Sequence, residues 1–271
     1  MTDRSMRFAW LFLLLGLLSP LGHAESNPTV VLRNLHKAQM DLNATASAFH
    51  RYQGSEGDSK MLVELNAALG SLKTSFQASF QDLADLGMKT ELEQVRGHWR
   101  SAARDLNTAM TAIASSGFAE GQIVNGYLLN SFHTGTDLKQ AYKAVVTTTG
   151  VKVPPVLQAL RTQSVQFQEM AALYMELSSA QYGFTYRSEA GNDETLDKMA
   201  QQFNFGLDDI EKMLAGNADA IKKLNNVRNK WRFLEKSFMK YTENSVPYLV
   251  VKFGGEITTD LEALAASFDN G

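Results

Sequence analysis

Cysteine is absent from the 271 residues. That excludes disulfides, the lipid-bearing cysteine of a bacterial lipoprotein and thiol attachment of a c-type haem. Long apolar runs are missing as well. Phe8 to Leu18 spans eleven residues, short of the roughly 20 that a bilayer core of about 30 Å requires. The charges are interspersed, with no basic stripe of the kind that phosphate-backbone binding uses, so nucleic acid is not an expected partner. Neither a Gly-x-Ser-x-Gly elbow nor a His-Glu-x-x-His pair occurs, and Gly254-Gly255 is an isolated pair inside a helical pattern rather than a phosphate loop. The sequence therefore predicts no enzyme: no catalytic residues, no metal ligands and no cofactor.

The first thing present is an export signal. Arg4 and Arg7 precede the apolar run, Pro20 breaks it, and Gly22-His23-Ala24 supplies small residues for cleavage. Residues 1–24 read as a signal peptide, which predicts a bacterial periplasmic or secreted protein with no membrane span in its mature form. Those residues hold two of the 26 basic and one of the 29 acidic side chains, so the mature chain carries about −4.

The second is a repeat. Val95-Arg96-Gly97-His98-Trp99-Arg100 reads against Val227-Arg228-Asn229-Lys230-Trp231-Arg232, and the match extends outward on both sides. Leu65, Leu72, Phe76 and Leu83 belong to a stripe stepping by three and four, and Leu92, Val95, Trp99, Ala102 and Leu106 to a second. Asn27-Pro28 opens an earlier helix carrying Val31, Leu35, Leu42 and Phe49. A fourth, interrupted by Gly126 and Gly135, carries Tyr127, Leu138 and Tyr142. The pattern restarts after Val153-Pro154-Pro155. Leu160 to Leu177 follow the first helix at an offset of 128, Leu196 to Met213 the second at 127, and Leu224 to Tyr241 the third at 132. Tyr248 and Phe253 follow Tyr127 and Phe132 at 121. The fold expected is all-α: two tandem up-down four-helix bundles from an internal duplication, residues 25–150 and 151–271, with helices of about 25 residues.

Few polar residues stand out. His36, His50, His98 and His133 form no Glu-x-x-His pair, all lie in the first copy, and are expected on the solvated surface. Met110, Met170, Met199 and Met213 lie on or beside the stripes and are expected as core filler. Asp208, Asp209 and Glu211, with Lys212, read as a solvated face. Arg96 and Arg100 share a helix face by i, i+4 spacing, as do Arg228 and Arg232. Guanidinium pairs beside an indole suit a carboxylate or oxyanion, so these four are the candidate ligand residues. Their simpler role is to cover the indole from the rim with their stems. Arg33 and Arg161 also correspond between the copies. Trp99, Trp231, Pro247 and Tyr248 are expected to be structural.

Gln168-Glu169-Met170 in a first helix, Phe203 to Met213-Leu214-Ala215-Gly216, and then Val227-x-x-x-Trp231 resemble the N-terminal sensor module of type IV pilus methyl-accepting chemotaxis transducers, a relative of nitrate/nitrite sensor-kinase input domains. The similarity covers most of 155–240 and, more faintly, 28–110. It implies a periplasmic four-helix module. That family carries an anion-binding arginine in a Gln-Arg-Met-type segment, where this chain has Glu169 and Asp41. A carboxylate repels nitrate, so anion sensing does not carry over. The family's membrane helices and cytoplasmic signalling region have no counterpart in the sequence. The expected function is that of an exported, non-enzymatic, sensor-like protein binding a membrane receptor or pilus-associated partner in the cell envelope. The alternative is a small-molecule carrier with its ligand between bundle helices, near Tyr174 and Tyr241.

Overall fold

The structure, a computed structural model, describes residues 27–179 and 195–269. The expected signal peptide lies outside them. Among the described residues there are eight α-helices and no strand: α1 (Pro28–Gly54), α2 (Ser59–Asp85), α3 (Lys89–Ser116), α4 (Gly121–Thr149), α5 (Pro155–Ser179), α6 (Leu196–Met213), α7 (Ala218–Met239) and α8 (Pro247–Ala266). None is long and apolar enough to cross a membrane.

Local chemistry sets the ends. Asn27 caps α1 by accepting from Thr29 N at 3.0 Å, and Pro28 follows where its missing N–H costs nothing. Asp58 accepts from Lys60 N and Met61 N to start α2. Gly117 and Gly150 end α3 and α4 at φ +82° and +67°, the left-handed region that a β-carbon disfavours. Gly126 and Gly135 do not interrupt α4, which is continuous. At Gly126 the absent β-carbon leaves room for Asp105, whose Oδ2 lies 2.8 Å from where that carbon would stand. The first four helices run to 27–29 residues, but α6, α7 and α8 have 18, 22 and 20, shorter than expected.

In the first set α1 packs on α2 and α4, and α3 on α4 with a lighter contact to α2. In the second α5 packs on α6 and α8, and α7 on both as well. The sets meet through α1 and α5. These two helices run the same way. Near their starts Arg33 and Arg161 share Asp269, and at their ends Ser179 Oγ lies 3.3 Å from His50 Nδ1.

The second set has one continuous core around Phe167, Tyr174, Phe203, Trp231 and Phe238. The first has two clusters, with Leu35, Phe76 and Val95 in one and Phe49, Leu106 and Tyr127 in the other. Between them lie Thr45 and Thr134, whose hydroxyls bond back to their own helices at Asp41 O and Asn130 O, and Trp99, which touches both clusters. Burying one large apolar side chain is worth about 1.5–3 kcal/mol. An exposed pair such as Lys212–Asp209, screened by water, adds little. The cores therefore hold the fold.

Several expectations need correcting. His36 and His50 are buried, at 5% and 2% exposure, because α1 turns its polar face to the second set and not to water. Met213 is 51% exposed; α6 ends there and Leu214 turns into the core instead. Tyr248 is 74% exposed, whereas Tyr127, its sequence counterpart, is buried.

Candidate functional site

The face-to-face packing of α1 and α5 leaves a cleft of about 380 Å³ bounded by α1, α4, α5 and α6. Its size falls within the usual range for small-ligand sites. From α4 come Lys139, Tyr142 and Lys143, one helical turn apart or less. Gln158, Arg161, Thr162, Gln166 and Glu169 of α5 recur at the three-four spacing that aligns them along one face. His36 and Gln39 of α1 form another wall, and Met199 and Gln202 of α6 another.

Arg161 is the most buried cation there, at 4% exposure. Its Nη2 donates to Asp269 Oδ2 at 2.9 Å and its Nη1 to the Tyr142 hydroxyl at 3.3 Å. Lys139 pairs with Glu169 at 2.6 Å across the cleft. Lys143 forms no ion pair among the described residues. His36 Nε2 lies 2.9 Å from Glu262 Oε1 on α8. Burial pushes the Glu262 carboxyl up, but the hydrogen bond and charge of His36, together with Arg161, outweigh it and hold Glu262 below its ordinary value of 4.5. The amides are partly committed. Gln158 Nε2 donates to Thr162 Oγ1 at 3.4 Å, and Gln166 Nε2 to Met199 O at 3.3 Å. The cleft can thus offer cations, amides and hydroxyls around the apolar side chains of Val165 and Met199.

The four arginines singled out from sequence lie elsewhere. Arg96 is half-buried on α3, over the Phe80 ring at 5.1 Å and 3.3 Å from Glu93; Arg100 is exposed. Arg228 bonds Asp208 at 2.7 Å and Glu211 at 2.9 Å, tying the acidic cluster of α6 to α7. Arg232 is exposed and reaches Asn229 at 3.4 Å. None of the four lines the cleft. In each set the residue before the tryptophan meets an acid from the last helix of that set. His98 Nδ1 lies 2.6 Å from Asp137, and Lys230 Nζ lies 2.8 Å from Asp260 and 3.2 Å from Glu256. The hydrogen bond that Lys230 donates to Asp260 keeps its ammonium above its ordinary pKa. Among the described residues no group of three His, Cys, Asp or Glu side chains could hold a metal ion.

Arg161 could be noticed in the sequence by its match to Arg33, whereas Lys139, Lys143 and the glutamines carry no such mark. One signal was available. Met170 to Met175 is apolar and buried without a break, and a helix apolar all round is one covered all round.

No protein-family model, curated protein or solved structure matches the chain.

Proposed function

We propose that the chain is an exported, non-enzymatic binding protein of two four-helix bundles derived by duplication, whose cleft between the bundles takes a small polar molecule. The cleft carries the reading. It is where side chains from four helices and both halves converge around about 380 Å³ with unspent polar groups. This retains the carrier expectation but moves the ligand from within one bundle, near Tyr174 and Tyr241, to the seam between two. Tyr174 is fully buried, with its hydroxyl accepting from Val246 N at 2.6 Å and its ring 4.9 Å from that of Tyr241. Duplication is supported by equivalent contacts in the halves. Phe76 meets Trp99 edge-on at 4.9 Å, and their counterparts Phe203 and Trp231 meet edge-on at the same separation. Residues 1–24 support export to a bacterial periplasm or beyond.

A second reading is the envelope partner, a receptor or a pilus-associated protein. A partly exposed aromatic pair favours it. Phe233 on α7 is 69% exposed and stacks on Phe253 of α8 at 5.7 Å, with Tyr248 and Val251 exposed on the same helix.

Thermal denaturation of the purified chain against a library of small polar molecules tests the first reading. A compound that raises Tm dose-dependently, and fails to do so with the cleft-filling variant Thr162→Trp, supports it. Stabilisation by no compound, with a stoichiometric protein recovered after crosslinking in the envelope, sinks it and favours the second.

A further inference from the structure

We propose that the molecule taken by this cleft is a small organic carboxylate, and that Asp269 is a built-in competitor for the arginine that would bind it. The inference rests on the cleft reading above and specifies its ligand.

The sign of the ligand follows from the lining. Lys139, Lys143 and Arg161 are permanent cations, and Glu169 is the lone carboxylate among the lining side chains. Glu169 is already spent on Lys139 at 2.6 Å. That leaves Lys143 and Arg161, one at the mouth and one at the floor, as the charges that a second acid would meet. An anion also suits the donors beside them, the Tyr142 hydroxyl and the amides of Gln158 and Gln166. Size argues for an organic molecule. At about 30 Å³ per water-sized group, the cleft has room for roughly a dozen heavy atoms, far more than a bare oxyanion fills. Val165 and Met199 give a carbon skeleton something to rest on.

Asp269 enters through Arg161. One oxygen of its carboxylate accepts from Arg161 Nη2 at 2.9 Å and from Arg33 Nε at 3.0 Å. Two guanidinium groups sharing one carboxylate oxygen are each less than fully paired, since arginine has five donors and binds an acid best through two. Asp269 lies in the short segment that follows α8, outside any helix. It holds the position that a ligand carboxylate would take on Arg161. When a ligand arrives, Asp269 retains Arg33, which is largely exposed, and yields Arg161. Glu262, close enough to Arg161 to feel its charge, remains with His36.

The test is calorimetric titration of the full chain with C4 to C8 mono- and dicarboxylates, their neutral amides and inorganic phosphate, at fixed ionic strength. At least one carboxylate is expected to bind, with its amide and phosphate at least tenfold weaker. Lys143→Gln, at an exposed position that leaves the fold untouched, should weaken binding about three- to tenfold. Asp269→Asn should strengthen it by a similar factor, because the competing charge is gone while the hydrogen-bond acceptor remains. An unchanged or weakened affinity in Asp269→Asn overturns the competitor. Equal binding of amides and acids, or tighter binding of phosphate, overturns the ligand class while leaving the cleft reading intact. Silence from every compound, neutral or charged, removes the cleft reading itself and this inference with it.

Discussion

The Trp231 indole N–H donates to Asn204 Oδ1 across the α6–α7 contact at 2.7 Å, and Asn204 in turn donates to Glu235 Oε1 at 2.7 Å. Its sequence counterpart, Trp99, is only half-buried. Trp231→Ala should cost about 3–5 kcal/mol, as truncations of buried aromatics do, and Trp99→Ala about 1–3. Urea midpoints of the two variants measure the difference. Equal losses would show that the second set does not lean on its tryptophan more than the first.

Two glycines within helices should respond in opposite directions. A β-carbon on Gly254 would stand 3.1 Å from Cε1 of Phe167, a fully buried ring packed among other aromatic side chains. Gly254→Ala is expected to destabilise by about 1–3 kcal/mol. Gly70 is exposed in the middle of α2, with nothing within 4 Å of the added carbon. Gly70→Ala should stabilise by about 0.5–1 kcal/mol by limiting the unfolded chain and favouring the helix. Thermal melts of both variants check the signs.

Acid should weaken the seam between the halves. Glu262, half-buried, is held below 4.5 by His36 and Arg161. A carboxyl depressed in the folded state contributes its stability in full above the unfolded value. It loses that contribution as pH falls through the folded one. Stability measured from pH 7 to pH 3 should therefore drop on the acid side of 4.5, with a shallower drop in Glu262→Gln. An identical acid limb in the variant would show that this pair does not set it.

The parallel course of α1 and α5 can be read by a bond the natural chain never makes. A β-carbon on Gly54 would lie 3.3 Å from Cβ of Ser179, a few tenths of an ångström under the disulfide range of about 3.5–4.5 Å. Gly54→Cys with Ser179→Cys should oxidise readily, with no other thiol to interfere. Gly70→Cys with Ser179→Cys should stay reduced. A free-thiol assay under mild oxidation separates the two, and failure of the first pair would place α1 and α5 differently.

The stripes were legible because a helix buried on one face writes a three-four spacing of apolar residues. Leu65, Leu72, Phe76 and Leu83 are all buried as that spacing requires. Gly87 and Gly117, at the ends of α2 and α3, are a similarly local signal: both have positive φ. What was hidden is the seam. His36, Gln39, Arg161 and Gln163 sit on faces that a single amphipathic helix would give to water, yet all are buried. The partner that makes His36 tolerable, Glu262, lies 226 positions away, and no periodicity within a helix reports such a pairing. The cleft follows the seam, so it was invisible for the same reason. The arginines beside the tryptophans drew attention because the repeat displays them, but the acids that Arg96 and Arg228 meet are near neighbours on the same or an adjacent helix.

On the duplication proposed above, the α1–α5 contact is the one that two separate copies of a single module would make as a symmetric pair. Fusing the pair into one polypeptide keeps that contact intact at any dilution, because the partner is always tethered nearby. It also lifts a constraint. A two-fold pair must present the same patch to itself, so any change appears on both sides at once. A fused pair can differ on its two sides, and this one does: at the offset of 128, His36 answers to Ser164 and Gln39 to Phe167. Symmetry given up in this way is what lets a seam become a pocket with distinct walls.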